Sequence, residues 1–340
     1  MNLADILNPD LAVPGEPLKW GYRRCSEDEY RSFPAINNSL LKCYTLHEMY
    51  RLLTAPPATE TNEALALGTL LDMALLTPEE PWTERFVAAD VPVNPTTGKA
   101  YHIKTQKAED ALEEARAANP GKFVVTLDAF LELKAEMEAL IRAVHASDLC
   151  RARLTQPSLK QVSGFLFHPQ WRCWVKWKPD LVPLQADEGG WALDDLKSTC
   201  HHVSNFEKDV RKFGYRDQAI WYAHCHETWM AKQGLRLKVS NFNFIVAGKS
   251  DPQARQPRGA MARMIQVPLD PCVNADMEGP TNRLFPKDGF GIIERFLAAL
   301  QEHLATNPDP ADEQAINRIW QAYEHESSPY ILARAPRVGF

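Results

Sequence analysis

The sequence predicts an α/β protein of the α+β kind, with a central mixed sheet flanked by helices and a helical elaboration ahead of it. Three observations lead there. Helical periodicity dominates up to about residue 156, and from 157 the chain becomes short-period, aromatic-rich and β-branched. A helix and one further strand then follow, giving the order β-β-β-α-β. The chain of 340 residues, 45% hydrophobic and 24% charged, also has the material for a substantial core.

The elements follow in order. Residues 1–34 are rich in proline and charge without clear periodicity, and read as an extended N-terminal arm. Apolar residues at spacings of three and four (Leu40, Cys43, Leu46, Tyr50, Leu53) make a helix that "PPAT" stops. "NEALALGTLLDMALL", residues 62–76, is a second and strongly apolar helix. A charged helix over 104–118 follows the turn-like "NPTTGK", and Thr126 or Asp128 starts an amphipathic helix.

"SLKQVSGFLFH", "WRCWVKWKPDLV" and "GWALDDLKS" read as three strands. Ser204 and Glu207 form a capping-box pattern opening a helix to Gly234, and "LKVSNFNFIVAG" is the fourth strand. "VPLD" is a possible fifth, and two helices, about 288–305 and 310–325, close the chain. The expected organisation is thus the arm (1–34) and a single domain (35–340). Within that domain lie a helical part (35–156), a core (157–270) and C-terminal helices (271–340).

A net charge of −6 carries no global basic field that would advertise nucleic acid, though a local basic groove remains compatible with it. No apolar run approaches the ~18 residues of a membrane span. The N-terminus lacks a basic start followed by an apolar segment, and the seven cysteines are scattered without a CxxC. A reduced, cytoplasmic protein without membrane partners is the expectation.

The chemistry gathers in "KWKPDLV" and "WALDDLKSTC". Asp195 and Lys197 share a face of an otherwise apolar strand, where an unpaired charge costs several kcal/mol. Asp180 precedes Asp195 by fifteen residues, and two adjacent strands ending together would bring both carboxylates to one divalent cation. Mg2+ prefers such oxygen ligands together with substrate phosphate and water, and Mn2+ can take its place. Lys197 would then orient or help deprotonate an attacking water and neutralise charge building on phosphate. Gln218 and Tyr222, one turn apart on the next helix, face the same way.

The order PD…DxK…QxxxY matches the PD-(D/E)XK nuclease signature in its RecB-like branch. The chain further resembles the RecE-type, exodeoxyribonuclease VIII-like, group of phage and prophage exonucleases. "FPAINNSLLKCYTLHEMYRL" is similar to that group's entry segment, and "ALGTLLDMALLTPEE" to its GT-x-x-H-x-x-L-L-x-P helix. "WVKWKPDLVP", "LDDLKSTCHHVSNFEKDVRKFGYRDQAIWY" and "FNFIVAGKSDP" align in order with its core, so the likeness spans roughly 33–252.

The resemblance implies a restriction-endonuclease-like core and Mg2+-dependent 5′-to-3′ degradation of linear double-stranded DNA. It also implies a ring-shaped homo-oligomer working with a single-strand annealing recombinase. It assigns Asp180 and Asp195 to the metal, with the Leu196 carbonyl as a further ligand, and Lys197, Gln218 and Tyr222 to catalysis. Two positions depart from the pattern. Asp72 stands where the group has His and is an additional candidate ligand; Gln161 stands near where the group often has Glu. These departures motivate the alternative of a catalytically weakened DNA-binding or assembly protein. An endonuclease would share all the same residues.

Lys176 and Lys178, which share parity with Asp180, are candidate DNA contacts, as are Arg211 and Arg216 on the following helix. Arg255, Arg258 and Arg263 form a small basic concentration that would hold phosphate by counterion release. Solvated faces explain these charges equally well. The tryptophans of 171–177 read better as core than as a base-stacking platform. His224 and His226 lie two apart on a helix and point apart, which disfavours zinc, and no cysteine triplet suggests an iron–sulfur cluster.

Overall fold

The computed structural model describes residues 3–41, 43, 46–54, 63–98, 100–101, 105–186, 190–199, 202–250, 259–269, 291–306 and 318. In chain order the strands and helices are β1 (Glu16–Pro17), β2 (Arg23–Arg24), α1 (Glu27–Ser32), α2 (Asn38–Leu41), α3 (Leu46–Thr54) and α4 (Glu63–Leu76). Next come β3 (Phe86–Ala89), α5 (Gln106–Ala118), β4 (Phe123–Thr126), α6 (Leu127–Ala146) and α7 (Asp148–Thr155). The strands β5 (Ser158–Lys160), β6 (Gly164–Phe167), β7 (Trp174–Trp177), β8 (Leu181–Pro183) and β9 (Trp191–Thr199) follow. The rest are α8 (Phe206–Lys212), α9 (Tyr215–Lys232), β10 (Val239–Gly248), β11 (Met261–Pro268) and α10 (Gly291–Thr306).

A five-stranded mixed sheet in the order β11-β10-β9-β8-β5 organises these elements, flanked by helices as expected. Among the described strands of this sheet the β9–β10 pair alone is parallel, and the α8–α9 connection supplies the crossover that a parallel pair requires. Register aligns like faces: Leu193 with Phe242, Asp195 with Phe244, and Leu196 with Ile245. Leu193, Phe242 and Phe244 belong to one buried core with residues of α9 and α10, whereas Leu196, Ile245 and Ala247 belong to another with α4 and α6. Strand alternation therefore sends Asp194 and Asp195 to opposite sides of the sheet.

The three expected core strands are five. Gln161, at φ +48°, breaks the first into β5 and β6, because a left-handed residue ends the pleat. Pro179, with no N–H to give a ladder, separates β7 from β8. β6 and β7 form their own antiparallel pair, in which a Cβ on Gly164 would lie 2.2 Å from the Trp177 ring. The expected helix over 204–234 is two helices, α8 and α9, divided at Gly214 (φ 62°). The expected capping box is replaced there by a short turn in which the Ser204 N–H donates to His202 Nδ1 at 3.2 Å. The helix expected to run on from Ser39 is likewise α2 and α3, and α7 was not anticipated.

The described part of the expected arm, residues 3–34, is packed against the rest of the chain. Ile6 and Tyr22 are fully buried, and the Tyr22 hydroxyl receives Trp177 Nε1–H at 2.9 Å and meets His226 Nδ1 at 2.7 Å. α1 carries a complete capping box between Ser26 and Glu29. Trp171, Trp174 and Trp177 are core, as the sequence suggests. "VPLD" falls at the end of β11, and the helix expected over 310–325 lies outside the described residues apart from Arg318. Among the described residues no helix is long and apolar enough to cross a membrane.

Candidate active site

Because β8 runs antiparallel to β9, with Leu181 opposite Asp194, the residue before β8 comes to rest beside Asp195 and Leu196. That residue is Asp180. The carboxylates therefore meet where one strand begins against the middle of another, not at two strand ends as the sequence suggested. Asp180 Oδ2 accepts the Leu196 N–H at 2.7 Å, and Oδ1 accepts Gln161 Nε2–H at 2.9 Å. The Gln161 backbone N–H also donates to the Asp180 carbonyl at 2.9 Å.

Asp195 is buried on the α9 side of the sheet. Its Oδ1 accepts Gln218 Nε2–H at 3.0 Å, and its Oδ2 is ion-paired with Lys197 Nζ. Lys197, its side chain 20% exposed, lies over the Tyr215 ring at 5.4 Å from the centroid. Tyr222, one turn beyond Gln218, is partly buried, and desolvation holds its hydroxyl above the ordinary range. Tyr215, Gln218 and Tyr222 thus line one face of α9 at spacings of three and four. Tyr215 was missed in the sequence, although that spacing marks it.

Asp194 goes the other way. It is fully buried, held by Arg153 through Nε at 3.0 Å and a second nitrogen at 2.8 Å, and by Asn243 Nδ2 at 2.7 Å. The two adjacent aspartates therefore have separate tasks: one ties α7 to the sheet, the other joins the cluster with Lys197, Gln218 and Asp180.

Burial, offset by Lys197 and reinforced by repulsion from Asp180, lifts the Asp195 carboxyl to about 7. Burial also opposes charge on Lys197, but Asp195 and Asp180 overcome it and hold the ammonium above its ordinary range. Asp72, partly buried on α4, is pushed well above the carboxylate range by burial first and by Asp180 next. Three acidic groups and one lysine thus share one electrostatic field.

These raised pKa values fix a sign. A carboxyl that binds its proton more tightly when folded stabilises the protein in acid and costs stability as it ionises. Asp72→Asn will therefore melt higher than the wild type at pH 8 in EDTA, and the two will converge toward pH 4. Urea unfolding at both pH values checks this; a variant less stable at pH 8 would contradict it.

The donor set suits a hard divalent cation: carboxylates crowded enough that Asp180 helps raise the pKa of both Asp195 and Asp72, with lone pairs beyond those used by Gln161, Leu196, Gln218 and Lys197. Among the described residues no three Asp, Glu, His or Cys side chains gather tightly enough to enclose a metal ion. Mg2+ needs no such enclosure, being held commonly by one or two carboxylates with water and phosphate.

One expected DNA contact, Lys176, is corrected. Lys176 is buried, 3% exposed, and donates to the carbonyls of Tyr30 (2.8 Å), Arg31 (3.2 Å) and Phe33 (2.7 Å). It fastens the N-terminal segment and does not face the cleft. Lys178 is paired with Glu27 of α1 at 2.7 Å. Arg216 lies partly buried in the first turn of α9. The Arg211 side chain, and Arg255 and Arg258 altogether, lie outside the described residues; Arg263 is on β11. His224 meets His168, Nε2 to Nε2, at 3.1 Å, while His226 turns to Tyr22, so the two share no ion.

No family model and no curated protein matches the chain. Among solved structures, a "Putative exonuclease" from Eubacterium rectale is similar at 14% identity and a TM-score of 0.42, over 88% of each chain. Likeness at that level decides nothing about chemistry, which rests on this chain's own residues.

Proposed function

We propose that the chain is a Mg2+-dependent exodeoxyribonuclease of the RecE-like, PD-(D/E)XK type, with a restriction-endonuclease-like core, degrading linear double-stranded DNA from its ends. One observation carries this reading. The antiparallel β8–β9 pairing sets Asp180 beside Asp195, and Lys197 and Gln218 both engage Asp195, with Tyr222 one turn beyond Gln218 on the same helix face.

In this reading Asp180 and Asp195 hold the metal, with the Leu196 carbonyl as a further donor, while Asp72, expected as an extra ligand, lies too far off to join them around one ion and contributes its charge to the field. Mg2+ bound there would polarise the scissile phosphate and make water a better nucleophile at neutral pH. Gln218 keeps Asp195 in one rotamer, and Tyr222 lies one turn beyond it on the same helix face. Lys197, held protonated by its acidic neighbours, offers positive charge to the phosphate and a donor to the attacking water; it is not the base. Arg216, Arg211, Arg255, Arg258 and Arg263 would grip the DNA backbone, and Lys178 would join them by exchanging Glu27 for phosphate.

The 5′-to-3′ direction, a homo-oligomeric ring, a partner annealing recombinase, a role in phage-type recombination and a cytoplasmic setting belong to the same proposal. So does the reading of 35–340 as one nuclease domain.

End-labelled linear duplex and covalently closed circular duplex, each with Mg2+ or EDTA, test it directly. The expected result is metal-dependent loss of the linear form alone, abolished by Asp180→Asn. Cutting of circles would replace exonuclease by endonuclease. Duplex binding without cleavage of either form would leave a DNA-binding protein on a nuclease frame.

A further inference from the structure

Resting on that reading, we propose that Gln161 is a positioning residue, fixing the Asp180 carboxylate for the cation before either metal or DNA arrives. Asp180 lies between β7 and β8, directly after Pro179, outside any strand that would hold it. Two donors from different elements fix its carboxylate instead: the Leu196 N–H of β9 on Oδ2, and the Gln161 amide on Oδ1.

Gln161 makes its contact at two points, since its backbone N–H also binds the Asp180 carbonyl at 2.9 Å. It does so from a left-handed backbone, φ +48°, a conformation that glutamine adopts rarely. The adjoining Val162 is fully buried, so the turn is anchored in the core while its polar side chain reaches the acid.

The amide matters chemically. An ionised glutamate at 161 would offer only acceptors and would repel Asp180, whereas glutamine supplies a donor without adding charge. Each Asp180 oxygen keeps a lone pair for a cation. Gln161 thus orients a carboxylate in a field already crowded by Asp72 and Asp195, at no further electrostatic cost.

The test uses full-length wild type and Gln161→Gly, with Mn2+ binding to each apoprotein followed by electron paramagnetic resonance and thermal melting recorded alongside. Glycine accepts positive φ freely, so the variant will melt at or above the wild type. Its Mn2+ Kd will rise about tenfold, at the low end of the 10–100-fold typical of lost outer-shell partners. In hydrolysis, kcat will fall while KM for duplex stays unchanged. A variant that binds Mn2+ as tightly as the wild type overturns the inference, as does a lower melting temperature with unchanged Mn2+ affinity. A wild type that binds no Mn2+ overturns it differently, by removing the metal reading on which it rests.

Discussion

Lys197→Ala will lower single-turnover hydrolysis of linear duplex by about 10²–10³-fold, the loss typical when one preorganised charge-stabilising donor is removed. The ammonium is ion-paired with Asp195 and packed over Tyr215, so its position is set before substrate arrives. Duplex affinity will change little, because Lys197 is already engaged with Asp195 in the free protein. The field of Asp195 and Asp180 keeps Lys197 charged throughout the neutral range, so the wild-type rate will show no ionisation attributable to it between pH 6 and 9. A lysine acting as base would instead need a depressed pKa, and the rate would climb with pH through it. Lys197→Arg will recover only part of the rate, since a planar fork does not reproduce a compact ammonium. Full activity in Lys197→Ala would remove the cleft from consideration as the catalytic centre.

Much of this cleft was legible in the sequence because the relevant signals are local. "LDDL" is symmetric and by itself does not say which aspartate faces which side; Lys197, two residues on from Asp195, breaks the tie. Helical spacing put Gln218 and Tyr222 on one face, the QxxxY resemblance tied that face to the site, and the helix-before-sheet order pointed to the fold class. What was not legible depends on partners remote in sequence. Lys176 has the parity of a cleft residue, yet three carbonyls of residues 30–33 claim it. No local pattern announces that, because those residues read as an irregular arm. Gln161 looked like a lost acidic ligand; that it donates to Asp180 follows only once its backbone turns left-handed. The splitting of three strands into five comes from breaks at Gln161 and Pro179, and long-range pairing then sends β7 to β6 and β8 to β9.

The largest stability effect is expected on the side of the sheet away from the cleft. Arg153→Met leaves Asp194 charged and fully buried without its guanidinium, with Asn243 among the donors that remain. Breaking a buried pair from one side costs about 3–5 kcal/mol, because the remaining charge keeps its desolvation penalty without its partner. Urea unfolding at pH 7 should therefore show a lower midpoint with an unchanged slope. Adding Asp194→Asn removes the stranded charge while keeping an oxygen for Asn243, and should restore more than half of the loss. That recovery distinguishes electrostatics from packing: if the Arg153 stem were what mattered, neutralising Asp194 would restore nothing. Both variants should keep Mn2+ binding wherever they remain folded, since Asp195 and Lys197 face the opposite core. A double variant that regains stability but loses Mn2+ would instead mean that the Arg153–Asp194 pair holds β9 in the register that presents Asp195 to the cleft.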